Sequence, residues 1–409
     1  VNMKTLKESA TTILSQESIK NILTYGALLF PFLPNTYRTF YLIVATITII
    51  IDYRLLLRKE NLPLYIFWLI TFITSLFSPM PLKAILKTKG IAFDLIIPFI
   101  FFAFSTQLKR DKLLKKISYF VILFTFSALL IHFIYPRGWH FFNRQSALVG
   151  FMGGKLTYAG VISFLFPLLI FKEGFKIKNL IPPFLAGALV LISLAINNSR
   201  SYYLGIAAFL LFFIFFAKPY LKVIYLLLLL TFASSVFLNQ RSYEYLKRSA
   251  PTEKNMSSYL RIHMWKTGLN IFKAKPFTGI GYELWGEEKV REAYLNKYGT
   301  PKLKEILEKY PDTRRPVSGH LHSNYIMALV NGGILLFMGY LFIFIYYGLL
   351  FLRSKNTFGL YGIGLLLIML IAGAFEYSFS DAEVVQTFAF SLGLLINGAK
   401  TNESNHKNS

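Results

Sequence analysis

The run VIYLLLLLTFASSVFL (223–238) carries no charge, and stretches like it recur from one end of the chain to the other. A helix of about 20 apolar residues crosses a ~30 Å hydrocarbon layer, and a helix satisfies its own backbone groups there. Composition agrees with that setting. Of 409 residues, 55% are hydrophobic and 16% charged, with a mean hydropathy of +0.49, whereas about a quarter of a soluble domain is charged. The expectation is an all-α polytopic membrane protein.

Twelve candidate spans lie near 21–33, 39–52, 62–78, 91–106, 117–135, 157–171, 180–196, 202–217, 223–238, 323–352, 359–375 and 384–398. The opening segment VNMKTLKESATTILSQESIK is too polar for a signal peptide, so the first span is expected to act as the signal anchor. The tenth is long enough to hold a kink at Gly332-Gly333. With the N-terminus inside, the inner segments hold 20 Lys and Arg and the short outer loops 8. This bias predicts both termini on the cytoplasmic side. The other 16 lie in the long stretch 239–322, which the count places outside. Three regions follow: helices one to nine (1–238), a large outer loop (239–322), and helices ten to twelve with a tail (323–409).

The loop alone has soluble-protein composition, with 16 basic and 9 acidic residues. In SSYLRIHMWKTGLNIFKAKP (257–276), Leu260, Met264, Gly268, Ile271 and Phe272 recur at helical spacing, and Pro276 ends the pattern. TPKLKEILEKYPD (300–312) repeats the signature with Leu303, Ile306, Leu307 and Tyr310. Both read as amphipathic helices lying on the membrane surface or on the bundle.

There are no cysteines, which excludes disulfides, thiolate metal sites and cysteine nucleophiles. Two of six histidines stand in GHLHSNYIMALVNGG (319–333). A metal reading of His320 and His322 lacks a third ligand: Asp312 and Glu308 stand at no recognisable spacing, and histidines two apart point to different sides of a helix. An interfacial aromatic-like role is the bland alternative. The remaining reading is a histidine that handles a proton at the mouth of a span, and His322, directly before Ser323, is expected to cap the tenth span. Arginines bear on the choice. Arg200 follows Asn197, Asn198 and Ser199, Arg261 opens the first loop helix, and Arg314-Arg315 precede the histidines. A guanidinium is permanently charged and forks onto two phosphate oxygens. Separated arginines converging near one histidine are what a pyrophosphate leaving group needs. Asp94, inside the fourth span, has either a function or a basic partner. Asp381, in EYSFSDAEVV, either orients a site residue or caps the last helix, with capping the favoured reading.

Three stretches together resemble the O-antigen ligase family. SRSYYLG supplies its Arg-x-x-x-Leu element as Arg200 and Leu204. LRIHMWKTGLNIFKAKPFTGIG supplies Arg261, Pro276 and the Gly279/Gly281 turn. HLHSNYIMALVNGG supplies His-Ser-x9-Gly as His322, Ser323 and Gly333. Leu336 stands where the family has a second glycine. The Gly-x-Gly pair alone is no nucleotide signal, since no strand precedes it.

The resemblance implies about twelve transmembrane helices of glycosyltransferase-C-like type, in the bacterial inner membrane, with the loop and active site facing the periplasm. It implies transfer of a glycan from undecaprenyl pyrophosphate to a hydroxyl of lipid A–core oligosaccharide, with inversion and with no metal or cofactor. His322, Arg200 and Arg261 would be catalytic, and Arg200, Arg261, Arg315 and His320 would bind substrate. The partners implied are the lipid-linked donor, the lipid A–core acceptor and the membrane. Nucleic acid is not expected, because cytoplasmic loops account for 20 of the basic residues. A polymerase or protein O-oligosaccharyltransferase of the same superfamily stays open, as does a transporter of lipid-linked glycans. Nothing in the sequence bears on the oligomeric state.

Overall fold

The computed structural model describes residues 35–105, 110–134, 148–150, 152, 154–169, 177–247, 255–310, 317 and 319–406. The first predicted span (21–33) and Arg315 lie outside these residues. All regular structure among them is helical: α1 (Asn35–Ile51), α2 (Leu62–Leu76), α3 (Pro81–Lys87), α4 (Arg110–Ile134), α5 (Lys155–Leu165), α6 (Ile177–Asn197), α7 (Arg200–Phe216), α8 (Pro219–Leu238), α9 (Gln240–Lys247), α10 (Met256–Ala274), α11 (Glu288–Tyr298), α12 (Pro301–Lys309), α13 (Asn324–Ser354), α14 (Thr357–Phe375) and α15 (Ala382–His406). Within the described residues, each predicted span from residue 39 onward falls largely on helix. Among the described residues, six helices are long and apolar enough to cross a membrane: α4, α6, α8, α13, α14 and α15. The apolar stretches Leu42–Ile51, Lys155–Leu168 and Arg200–Phe216 are shorter. The fourth predicted span is two π-helical stretches, Ile91–Ile96 and Phe101–Ser105, around Ile97–Ile100.

One large apolar cluster unites the bundle, and large side chains such as Leu123, Phe215, Leu230 and Met338 point outward from it. An apolar exterior on an apolar core identifies a membrane protein. Close helix approach depends on small residues. A Cβ on Gly205 of α7 would lie 3.1 Å from the Ile368 carbonyl of α14. In SRSYYLG it is therefore Gly205 that seats the helix pair, while Leu204 is half exposed.

The long loop has a core of its own. Leu260, Met264 and Ile271 of α10 are buried with Trp285, Leu303, Ile306, Leu321 and Met327, each such side chain being worth ~1.5–3 kcal/mol. The two predicted amphipathic helices are α10 and α12, and they bury their stripes in this core. Tyr310 is exposed, outside the stripe. The helix α11 between them was not foreseen.

The kink expected at Gly332-Gly333 is present: both residues have non-helical dihedrals inside α13. The turn after α10 docks on the break. Ile280 N–H donates to Val330 O (2.8 Å), Gly281 N–H to Asn331 O (2.9 Å), and Ile334 N–H to Pro276 O (2.7 Å). Backbone groups freed by the break thus find partners. Gly333 has φ +63°, and a Cβ there would stand 2.4 Å from Pro276 O. Gly279 (φ +61°) meets Val330 O at 2.3 Å in the same way. The Gly-x-Gly pair is a tight turn, as expected, and its task is to fasten the loop to the tenth predicted span.

Candidate active site

The site forms where α10, the start of α7, the start of α13 and the end of α14 meet. Ser323 caps α13, accepting from Ile326 N–H through its side chain. His322 is therefore not the cap; it precedes the cap with φ +50°, a left-handed conformation uncommon outside glycine. Trp265 of α10 holds that turn by donating its indole N–H to Leu321 O (2.9 Å) and His322 O (3.3 Å). Asn324 accepts from Ser378 N–H (2.8 Å) and so ties the start of α13 to the segment after α14.

The expectation that the two histidines diverge is overturned. They lie in a loop, not on a helix, and the left-handed turn at His322 folds the rings together, centroids 4.4 Å apart. His322 N–H donates to His320 Nδ1 (3.2 Å), which leaves the His320 proton on Nε2. Burial, and then the neighbouring His322, hold His320 down at about 4.

Glu376, the residue after α14, completes the group. Its side chain is 3% exposed, with one oxygen for each neighbour. Oε1 lies 2.9 Å from His322 Nδ1, and Oε2 accepts from Arg261 Nη2 at 3.1 Å. Arg261 Nη1 also donates to Phe375 O (2.7 Å), at the carboxyl end of α14. Burial alone raises a carboxyl. The hydrogen bond from His322 and the charge of Arg261 outweigh it and hold Glu376 at about 2. An ionised Glu376 places the His322 proton on Nδ1 and leaves Nε2 as the free base, the orientation a carboxylate gives a catalytic imidazole.

Arg200 stands at the first position of α7, after Asn198 (φ +65°). It donates to Ser258 Oγ at 3.1 Å. Ser258 is one helical turn before Arg261 on α10, and residues three apart share a face. Arg200 thus reaches the face of α10 that also carries Arg261, whose guanidinium holds Glu376.

His320, His322 and Glu376 present donor atoms within 4.8 Å of one another, a set that could hold a metal ion. The argument that the histidines lack a third ligand is thereby corrected: the ligand comes from a carboxylate 54 residues away. Both Glu376 oxygens already have partners, one of them the fixed positive charge of Arg261.

Asp381 caps α15, as favoured from the sequence. Oδ1 accepts from Val384 N–H and Oδ2 from the Thr157 hydroxyl (2.5 Å). It is Glu376, five residues earlier in the same quoted stretch, that orients the histidine. Asp94 accepts from Gln386 Nε2 at 2.6 Å. A cavity of about 690 Å³ opens from His320 and Glu376 toward Lys155, Thr157, Asp381 and Glu383.

Residues 185–341 match the sequence model of the O-antigen ligase family. Arg200, Arg261, His320 and His322 fall inside the match, and Glu376 beyond it. Among curated proteins no relative matches the chain.

Proposed function

We propose, from the match of residues 185–341 to the O-antigen ligase family model, that the chain is a member of that family and transfers a glycan from undecaprenyl pyrophosphate to a hydroxyl of lipid A–core oligosaccharide. The observation that carries this reading is the chain Arg261–Glu376–His322, in which one buried carboxylate is shared between a fixed cation and an imidazole. The acceptor hydroxyl loses its proton to His322 Nε2 as its oxygen bonds the anomeric carbon. The bond from that carbon to the phosphate oxygen breaks on the opposite face, with inversion. Its electron pair leaves on the pyrophosphate, whose charge Arg200 and Arg261 neutralise. Preorganised charge aimed at a leaving group is usually the largest catalytic term. Arg261 supplies the positive charge that a metal ion would otherwise bring, so the reaction is metal-independent. The site faces the periplasm of the inner membrane, with both termini cytoplasmic. The loop's excess of basic residues favours an acidic acceptor molecule.

The test is acceptor choice by the purified chain in nanodiscs, with excess EDTA and an undecaprenyl-pyrophosphate-linked glycan as donor. Transfer to added lipid A–core is expected. Extension of one lipid-linked glycan by another, with lipid A–core untouched, would make the chain a polymerase. Activity that EDTA abolishes and Mg²⁺, Mn²⁺ or Zn²⁺ restores would return the histidine–glutamate set to metal binding.

A further inference from the structure

The loop core takes one side of α10, and a second apolar stripe stands on another: Ile262, Trp265, Leu269 and Phe272, at helical spacing. Leu269 is 40% exposed, and Phe277, in the turn that follows, 65%. Lys266 and Lys273, both exposed, border this stripe along one edge, and Arg261 borders it along the other. Apolar residues edged by lysine and arginine are the pattern of a helix that lies in a membrane surface.

The depth of α10 follows from the helices it touches. Counted back from Arg353, at the charged end of α13, about 20 residues at 1.5 Å each cover ~30 Å of hydrocarbon and end at Gly333, the break. The 19 residues of α14 start beside that same charged end and stop at Phe375, a rise of about 28 Å. These two points mark one edge of the hydrocarbon. The half of α13 before the break does not continue past that edge. Asn324 donates to the Tyr340 hydroxyl (3.3 Å), so that half turns back over the end of the bundle. Against it lies α10, held at both points. Its Trp265 ring is 6.1 Å from the Phe375 ring, and Pro276 O, just past its end, accepts from Ile334 N–H (2.7 Å). About 16 Å of helix between them thus runs along the hydrocarbon edge. The stripe continues the apolar surface of Leu335 and Met338, 44% and 62% exposed on α13.

We propose that α10 is seated in the bilayer leaflet on the loop's side, with Trp265, Leu269, Phe272 and Phe277 among lipid acyl chains and Lys266 and Lys273 on the phosphates of anionic lipids. Trp265, whose indole N–H holds the carbonyls of Leu321 and His322, carries this seating to the histidine turn. Under the transfer reading the seating also sets Arg261 at the depth of a lipid-linked pyrophosphate. That consequence rests on the transfer reading; the seating itself does not.

The chain has no cysteine, so Leu269→Cys and Phe277→Cys each place one thiol on this surface of the full-length protein. Glu292→Cys, at an exposed position of α11, is the reference in water. Each thiol is labelled with an NBD fluorophore in nanodiscs of phosphatidylcholine and phosphatidylglycerol, then quenched by iodide or by lipids with a nitroxide on the acyl chain. The labels at Leu269→Cys and Phe277→Cys are expected to be quenched by the lipids and to lose most of the iodide quenching seen at Glu292→Cys. Nitroxide-bearing phosphatidylglycerol is expected to quench them more than nitroxide-bearing phosphatidylcholine. Adding Lys266→Gln and Lys273→Gln is expected to cut that preference by up to roughly fivefold per lysine. Iodide quenching equal to that at Glu292→Cys, shielding from both quenchers, or equal quenching by the two lipids would each overturn the proposal. So would lipid quenching that undecaprenyl pyrophosphate displaces, which assigns the stripe to the donor's own chain. The readout needs no turnover. Lipid-quenched labels on a chain that transfers nothing keep the seating and sink the transfer reading, and active protein with labels open to iodide does the reverse.

Discussion

Replacing Glu376 with glutamine removes one charge and almost no volume from the centre of the site. The outcome depends on what each oxygen serves: Oε1 faces His322 Nδ1 at 2.9 Å, and Oε2 faces Arg261 Nη2 at 3.1 Å. An amide has one acceptor oxygen and one NH₂ group. If the NH₂ faces Arg261, two donors oppose each other beside a permanent charge. If it faces His322, it donates to Nδ1, and the imidazole proton must move to Nε2, the atom that serves as base. The second arrangement keeps the arginine satisfied and removes the catalyst. Its magnitude follows from the carboxyl itself, which lies at about 2 against an ordinary value of 4.5. At 1.36 kcal/mol per unit that is ~3 kcal/mol, or roughly 10²-fold in rate when the loss falls on the transition state.

Single-turnover transfer by Glu376→Gln is therefore expected to slow by about 10²-fold, at the low end of the ~10²–10⁴-fold typical of general-base assistance, with donor affinity little changed. The assay is rapid-quench transfer by donor-loaded protein, with monodispersity and thermal unfolding confirming equal folding. Nitrogen-15 shifts of the imidazoles report the tautomer, which a purely structural role for Glu376 leaves unmoved. A rate within threefold of wild type, or a His322 that still carries its proton on Nδ1, would refute the reasoning.

Arg200→Lys and Arg261→Lys keep the charge and lose the fork, so each is expected to lose most transfer and donor affinity; near wild-type activity in both would reduce the arginines to a positive field. The His320 imidazole, at about 4 in the folded chain against an ordinary 6.5, makes stability depend on pH. Between those values the unfolded chain binds a proton that the folded chain refuses, so this contribution is fully present above 6.5 and is lost as pH falls through 4, ~3 kcal/mol in all; a His320→Gln variant with the same slope in denaturant melts from pH 7 to 4 would contradict it. Gly333→Ala sets a Cβ 2.4 Å from Pro276 O at φ +63° and is expected to destabilise by ~2 kcal/mol or more, read as a lowered Tm with the loop more open to protease.

Much of this was legible because it is local. Apolar runs gave the helices of the bundle, and the stripes Leu260-Met264-Ile271 and Leu303-Ile306 gave the loop helices, since helical periodicity depends on nearest neighbours alone. Arg200, Arg261 and His322 became candidates through spacing and a family pattern. Glu376 was passed over for Asp381. Both are acids between two apolar runs, and only the ends of α14 and α15 decide that one reaches His322 while the other takes Val384 N–H and Thr157. The divergence assigned to His320 and His322 assumed a helix beginning one residue early. Moving the cap to Ser323 leaves both histidines in the loop and reverses the geometry.

Backbone strain was the least legible quantity, and it concentrates here. Of the four non-glycine residues with positive φ among the described residues, Asn198 precedes Arg200, Glu283 binds the Tyr377 hydroxyl beside the site, and His322 is the proposed base. Such conformations cost ~1–3 kcal/mol each and persist only where the surroundings over-determine them. At His322 the restraints can be named: Trp265 holds the two carbonyls, Ser323 starts the helix immediately after, Leu321 is fully buried, and Asn324 is bonded to Ser378. No one of these lies near all the others in sequence, and none is chemically reactive in the proposed transfer. Their joint effect is to place one ring nitrogen on Glu376 and keep the other for a substrate, and that arrangement exists only once the loop and bundle have packed together.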